Sequence, residues 1–241
     1  MNDWTTAHHW DLGPRRADGR TFLVEAARDL RATGVTAPGG KALARLLTDP
    51  VRAQAPRPLA VLEAGAGSGA VTRALISQLP RGSLLDVVEA NPLRAARLRK
   101  LVANHPYPAG RLAQLSVHQA YVDELDTDQR YDVIISGLSL THHTPDQAQR
   151  VMARYMELLH PGGILTYPVS RGTRRARTLL TSRAEARRRA AVHEVMAAYQ
   201  RDYAIGRWPV WANLPPAHVW QLRRPPASPH EQQRPLKEAW R

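Results

Sequence analysis

A glycine-rich turn between a strand and a helix is the sequence feature that most restricts the possible folds. The run Glu63-Ala-Gly65-Ala-Gly67-Ser-Gly69 follows the apolar residues 59–62 and precedes a helical pattern. Glycines let a backbone turn tightly and approach a ligand, and a helix N-terminus offers free N–H groups to an anion. The next apolar strand, 84–88, ends at Glu89, whose carboxylate can accept hydrogen bonds from a ribose diol. Residues 61–89 are therefore predicted to form a nucleoside-binding unit.

Strands and helices alternate from this unit onwards. Strand patterns lie at 59–62, 84–88, 112–117, 131–136 and 164–167, and helical patterns at 71–79, 92–103 and 145–160. Such alternation predicts a parallel sheet with helices on both faces. Two more strand patterns, 203–211 and 217–223, flank Leu214-Pro-Pro and predict an antiparallel hairpin. The fold class is therefore predicted as α/β, with a Rossmann-like, seven-stranded, mostly parallel sheet and a C-terminal antiparallel hairpin.

The regions outside this pattern divide the chain further. We expect a mobile arm at 1–20, an N-terminal helical segment at 21–58, the main domain at 59–223 with a basic helix inserted at 171–200, and a disordered tail at 224–241. Within the second region, the pattern predicts a helix from Thr21, a turn at 37–40, a helix at 41–47 and a linker from Asp49.

Positive charge is concentrated in one part of the chain. Lys and Arg number 34 against 21 Asp and Glu, for a formal net charge of +13, and residues 171–189 contribute +7 of it. This excess suggests an anionic partner, which can be nucleic acid, an acidic membrane surface or a phosphorylated substrate. The candidate substrate-facing or membrane-facing residues are Arg171, Arg174, Arg175 and Arg177. The plainer interpretation is a solvated outer helix face, with a GC-rich genome as the source of the arginines.

Composition excludes several classes of protein. Cysteine is absent, which excludes a disulfide scaffold and thiolate metal sites. The adjacent histidines at 142 and 143 have no third ligand at a recognisable spacing, so no metal site is expected. No apolar run approaches the ~20 residues of a membrane span. The N-terminus lacks a signal-peptide pattern, so we expect a cytoplasmic protein that can bind peripherally to the inner membrane surface.

The acidic residue before the glycines helps to identify the cofactor. Glu63 can hold the ammonium group of S-adenosylmethionine indirectly, which favours that cofactor over a nicotinamide dinucleotide. A Pro-Gly-Gly turn before the fifth strand, followed by a helix and a final hairpin, favours it as well. This arrangement, over residues 59–223, resembles the class I S-adenosylmethionine-dependent methyltransferases.

The resemblance implies roles for particular residues. The three glycines would line the cofactor, Glu89 would hold its ribose, and residues after the third strand would meet the adenine, where Gln119 can accept a hydrogen bond. The cofactor-binding candidates are Glu63, Gly65, Gly67, Gly69, Glu89, Ala90, Gln119, Ala120, Ser136 and Gly137.

Further motifs resemble those of one subfamily, the bacterial phospholipid (phosphatidylethanolamine) N-methyltransferases. The segment Ser136-Gly-Leu-Ser-Leu140 is similar to their Ser-Gly-Leu-Pro-Leu motif, and Asn213-Leu-Pro-Pro-Ala217 to their Asn-Leu-Pro-Pro-Ala turn. The stretch 34–45 resembles their N-terminal helix-turn-helix. The resemblance implies N-methylation of a phospholipid head-group amine at an anionic membrane surface.

Three other functions stay open at this stage. Ser139 stands in place of the motif's proline, and Gly39-Gly40 in place of a serine pair, which leaves room for a soluble small-molecule acceptor such as a secondary metabolite. The fold also resembles the ribosomal RNA adenine dimethylases, but residues 136–140 lack the proline and the aromatic that stack a flipped base there, so nucleic acid is unlikely. A cofactor-binding or membrane-binding module without catalysis is the last alternative.

An alkyl amine acceptor would need help to lose a proton. With a pKa near ~10, like that of a lysine amine, it is mostly protonated at neutral pH, so a general base is useful. The nearest candidates after the fourth strand are His142 and His143, and Tyr167 at the end of the fifth strand could hydrogen-bond the acceptor. A solvated histidine pair and a packing tyrosine are the plainer interpretations.

Overall fold

Seven strands form a single mixed sheet. In the computed structural model, which describes residues 38–105, 112–170, 182–211 and 217–226, the strands are β1 Ala60–Ala64, β2 Leu84–Val88, β3 Gln114–His118, β4 Tyr131–Ser136, β5 Leu159–Ser170, β6 Ala204–Val210 and β7 Ala217–Arg223. Their order in the sheet is β3-β2-β1-β4-β5-β7-β6. The first five strands in this order run parallel, and β7 runs antiparallel to both β5 and β6. The predicted fold class, including its C-terminal hairpin, is confirmed.

Helices cover both faces of the sheet. They are α1 Pro38–Leu47, α2 Asp49–Gln54, α3 Ala70–Gln78, α4 Pro92–Ala103, α5 Pro145–Leu158 and α6 Arg183–Tyr203. One apolar cluster joins the sheet to α1–α4, and the other joins it to α5 and α6. None of these described helices is long and apolar enough to cross a membrane.

Two helices that begin near the carboxyl ends of strands have strong N-terminal caps. The Asn91 side chain accepts hydrogen bonds from the first backbone N–H groups of α4, and Thr144 forms a reciprocal capping box with Gln147 of α5. A proline occupies the first turn of each helix, where no intrahelical N–H bond is lost. The two caps determine where α4 begins after β2 and where α5 begins after β4.

Several predicted boundaries differ from the structure. The predicted turn at 37–40 is wrong from residue 38 onwards, because Pro38 opens α1, and the predicted linker at Asp49 instead begins α2. In both cases proline is tolerated in a first helical turn. The predicted turn at 161–163 lies inside β5, where the ladder with β4 shifts register and Gly162 has a φ of 81°.

Other predictions fall outside the described residues. These are the arm at 1–20, the helix from Thr21, the membrane-facing candidates Arg171, Arg174, Arg175 and Arg177, and the tail beyond residue 226. Arg224, where the tail was predicted to begin, continues the pairing of β7, because its N–H donates to the Gly163 carbonyl at 2.9 Å.

A buried carboxylate joins three strands. Asp86 on β2, only 4% exposed, accepts a hydrogen bond from the Tyr131 hydroxyl on β4 at 2.8 Å and lies 3.0 Å from the His118 Nε2 atom on β3. A buried charge is tolerated only when its hydrogen bonds are made. This contact therefore joins β2 to β3 and to the start of β4, and it stabilises this part of the sheet.

We predict that Tyr131→Phe destabilises the fold by about 1–3 kcal/mol, because Asp86 loses a donor while staying buried. Urea denaturation followed by circular dichroism measures the free energy of unfolding. Tyr121→Phe is the matched control, since Tyr121 is 59% exposed and its hydroxyl can bond to water. Equal stability of the two variants would contradict the prediction.

Candidate active site

The glycine-rich loop after β1 lies at the point where the strand order reverses, between β1 and β4. Gly65, Gly67 and Gly69 have φ values of 71°, 56° and 77°, in the left-handed region that favours glycine. A side chain at Gly65 would also collide with Leu138, since an ideal Cβ would lie 2.4 Å from the Leu138 Cδ2 atom. In open α/β sheets, ligands bind in the crevice at such a reversal.

The Glu89 carboxylate connects this loop to the end of β2. Its Oε2 atom accepts a hydrogen bond from the Gly67 N–H at 2.9 Å, and its Oε1 atom accepts one from the Asn91 N–H at 2.9 Å. The residue is 6% exposed and lines the pocket beside the loop. A carboxylate has about four acceptor positions, so two remain for a ligand.

A pocket of about 100 Å³ opens at these strand ends. It is lined by Gly65, Val88, Glu89, Ala90, Ala120, Tyr121, Val122, Asp123, Leu138, His143 and Val151. Small and apolar side chains form most of the wall, and Glu89, Asp123 and His143 supply the titratable groups. This chemistry fits a ligand with an uncharged ring, a diol and a cationic end, and thus fits S-adenosylmethionine.

Among the residues predicted from the sequence, the pocket brings together Gly65, Glu89, Ala90, Ala120 and His143. Gln119 is exposed and does not line it. The 3-10 turn Val122–Glu124 instead supplies Val122 and Asp123, and Tyr121 precedes it. These three residues were not among the predicted ones, which ended at Ala120, although an aromatic-apolar-acidic triplet just after a strand end was a usable signal.

Ser136 and Gly137 support the pocket from behind. The Ser136 hydroxyl oxygen accepts a hydrogen bond from the Tyr155 hydroxyl at 2.9 Å, and the Gly137 N–H donates to the Ala64 carbonyl at 2.8 Å. A Cβ on Gly137 would lie 2.6 Å from the Gly65 carbonyl oxygen, so only glycine fits there. These two residues fix the wall that Leu138 and His143 complete.

Glu63 lies beneath the glycine-rich loop and not on the pocket wall. It is 2% exposed, and its Oε2 atom accepts a hydrogen bond from the Thr72 hydroxyl at 2.6 Å. Burial, opposed by the bond from Thr72, raises the pKa of Glu63 to about 8. A cationic group bound close to Glu63 would lower this pKa and favour the ionised carboxylate.

Tyr167 is enclosed within the core beside α6. It is 3% exposed, and its hydroxyl oxygen accepts a hydrogen bond from the Gln200 side chain at 3.0 Å. Burial raises the pKa of Tyr167 to about 12, so its hydroxyl stays protonated at neutral pH. The pocket wall does not include it.

The two histidines occupy different environments at the 3-10 turn Leu140–His142. His143 is half-buried and lines the pocket, whereas His142 is exposed and does not. The His143 Nδ1 atom lies 3.3 Å from the Ser139 carbonyl oxygen. Of the adjacent pair, the structure thus places only His143 at the pocket.

Arg188 of α6 holds this turn in place. Its guanidinium donates to the backbone carbonyl oxygens of His143 and Thr141, the latter at 3.2 Å. The Glu185 carboxylate accepts two hydrogen bonds from the same guanidinium, with N···O distances of 2.7 and 2.8 Å. These bonds are the main reason that the pKa of Glu185 is lowered to about 2. Bidentate arginine–carboxylate pairs fix geometry as well as charge. The basic helix is therefore joined directly to the turn that carries His143.

A comparison with protein families matches residues 61–163 to a family described as "Methyltransferase domain". No curated protein matches the chain.

Solved structures with the same fold include the N-methyltransferase NodS from Bradyrhizobium japonicum WM9, with 17% identity over 78% of this chain and 97% of NodS and a TM-score of 0.58. Another is 1,6-didemethyltoxoflavin-N1-methyltransferase from Burkholderia thailandensis, solved with bound 1,6-didemethyltoxoflavin and S-adenosylhomocysteine. It has 22% identity over 88% of this chain and 92% of that protein, with a TM-score of 0.55.

A third is the cyclopropane synthase MmaA2 from Mycobacterium tuberculosis, with 15% identity over 76% of this chain and 84% of that protein and a TM-score of 0.56. The family match and the shared fold lead to one conclusion: the chain contains a methyltransferase domain over residues 61–163 and has the fold of class I methyltransferases, with a pocket whose chemistry fits S-adenosylmethionine.

Proposed function

We propose that the enzyme N-methylates the amine head group of a phospholipid at an anionic membrane surface. The observation that carries the proposal is the contact between Arg188 and the turn that holds His143. Arg188 belongs to the segment 171–189, which carries a net charge of +7. The described end of this segment, in α6, therefore contacts the turn beside the pocket, and the segment's excess charge would attract an anionic surface.

The acceptor side of the proposed site is the segment from Ser136 to His143. Its first five residues resemble the motif of the phospholipid N-methyltransferases, and it contributes both Leu138 and His143 to the pocket. We assign His143 as the general base. A proton on Nδ1 would be donated to the Ser139 carbonyl, which would leave Nε2 free to accept the proton of the amine.

The cofactor supplies a methyl group activated by its sulfonium, and the chain supplies binding and alignment. We assign the two remaining acceptor positions of Glu89 to the ribose diol. Asp123 takes the place expected of Gln119 as acceptor for the adenine amine, since it lines the pocket and Gln119 does not. Glu63 would stabilise the cofactor's ammonium from beneath the loop, in its ionised form.

A soluble small-molecule amine is the second candidate acceptor. The substitution of Ser139 for the motif's proline favours it, because this position immediately precedes the turn that carries His143. The shared fold with a methyltransferase solved with bound 1,6-didemethyltoxoflavin also supports it.

A radiolabelled methyl-transfer assay tests the proposed acceptor. We expect labelling of phosphatidylethanolamine in vesicles that contain anionic lipid, and slower labelling at high salt because surface attraction is screened. The parallel arms hold soluble amines and RNA. Labelling of a soluble amine with none of the phospholipid would exclude the first candidate and support the second.

We predict that Glu89→Gln raises the Kd for S-adenosylhomocysteine by about tenfold or more, because hydrogen bonds to charged groups contribute about 1.5–3 kcal/mol each. The amide would also turn an N–H group toward one of the backbone donors, Gly67 or Asn91. Calorimetric titration measures the Kd. Glu124→Gln, an exposed carboxylate on the nearby 3-10 turn, is the control for charge alone, and a similar Kd for both variants would refute the assignment.

We predict that His143→Ala lowers kcat by about 10²–10⁴-fold with little change in the Kd for S-adenosylhomocysteine, as expected for loss of a general base. Single-turnover methyl transfer separates the two quantities. His142→Ala is the adjacent control, and its effect on kcat should be much smaller because this side chain lies off the pocket. Unchanged turnover in His143→Ala would remove the base assignment.

A further inference from the structure

A groove between α1 and α3 is separate from the pocket at the strand ends. Its volume is about 600 Å³, and it is lined by Gly40, Lys41, Ala44, Arg45, Arg52, Ala70, Arg73, Ala74 and Gln78. It shares no lining residue with the cofactor pocket. The proposed methyl transfer assigns it no role.

Small residues on both helices create the groove. Gly40 and Ala44 are four residues apart on α1, as Ala70 and Ala74 are on α3, so each pair lies on one side of its helix. Glycine and alanine side chains are too short to fill the space between the two helices. The floor of the groove is therefore apolar and open to a ligand.

Cationic side chains surround this floor. Among the described residues, no carboxylate lies within ion-pair distance of Lys41, Arg45 or Arg73. The fourth cation, Arg52, is paired with Asp49. Three positive charges thus line one groove without an ion pair to a carboxylate in the described part of the chain, and an anionic ligand would relieve their mutual repulsion.

We propose that this groove is a binding site for a phosphate group. A phosphate offers three or more acceptor oxygens, so side chains from two helices can bind it together, whereas a carboxylate offers only two oxygens. Arginine guanidinium groups bind phosphate through paired N–H donors, and lysine adds a compact charge. The alanines of the floor would contact the organic part of a phosphate ester.

The site would lie next to the cofactor loop. Helix α3 begins directly after Gly69, and Thr72, the neighbour of Arg73, holds the Glu63 carboxyl. A phosphate held by Arg73 would therefore rest against the first turn of the helix that supports the loop. The proposal does not depend on the identity of the methyl acceptor.

Calorimetric titration of the full-length protein with inorganic phosphate and with glycerol 3-phosphate tests the proposal. The groove variant combines Lys41→Gln, Arg45→Gln and Arg73→Gln. The control variant combines Lys100→Gln, Arg97→Gln and Arg99→Gln, which removes the same residue types and the same charge from exposed positions on α4. Binding of S-adenosylhomocysteine verifies that each variant is folded, and the single change Arg45→Gln replaces the groove variant if it is not.

We expect the groove variant to bind phosphate at least about tenfold more weakly than the control variant, since charge-assisted hydrogen bonds are lost. Sedimentation with phosphatidylcholine vesicles, with and without phosphatidylglycerol, identifies the source of the phosphate. Weaker vesicle binding by the groove variant alone assigns the site to a lipid head group, and unchanged vesicle binding assigns it to a soluble phosphate ester. Equal loss of phosphate binding in both variants, or no phosphate binding by the unsubstituted protein, would overturn the proposal.

Discussion

The two hydrogen bonds of the Glu89 carboxylate determine the form of the cofactor pocket. The loop after β1 contains three residues with left-handed backbone conformations, and such a loop has many alternative arrangements. The bond from the Gly67 N–H selects one of them, and the bond from the Asn91 N–H ties it to the start of α4. Because Glu89 is buried, these bonds are made in a medium where they are strong.

The sequence was sufficient for the parts of the fold in which local and long-range preferences agree. Strands such as Leu84–Val88 and Tyr131–Ser136 are short apolar runs bounded by turn residues, and their predicted limits match the structure. Helix α4 was also predicted at its observed limits, because Pro92 marks its first turn. The start of α1 was misplaced and α2 was predicted as a linker, since a proline next to glycine or aspartate is equally typical of a turn.

Gly65 and Glu89 were predictable from the sequence. A tight turn after a strand needs glycine, and a carboxylate at the end of the next strand can accept hydrogen bonds. The site was not predictable where adjacent residues differ only in the direction of their side chains. The sequence alone does not separate His143 from His142, because that difference depends on how the 3-10 turn is held by a residue 45 positions away. Asp123 was not predicted as a pocket residue for a similar reason, since the path of the chain after β3 follows from tertiary packing.

The arginines of the chain have different structural roles, and the net charge of the chain does not distinguish between these roles. In α6, Arg188 and Arg189 both pair with Glu185, and Arg188 also supports the turn beside the pocket. Their charges are partly neutralised within the fold. Lys41, Arg45 and Arg73 form no such ion pair among the described residues, and all three line the groove between α1 and α3.

The contact between Gly137 and the Gly65 carbonyl has a consequence for how this enzyme can change its substrate. The backbones of Gly65 and Gly137 touch with no side chain between them, so Gly137 cannot be replaced without moving the glycine-rich loop. Exposed positions farther along this segment, such as Ser139, carry no such restriction. Evolution or engineering of a new acceptor preference would therefore change exposed residues of the segment from Ser136 to His143. Gly137 would stay the same for as long as the glycine-rich loop does.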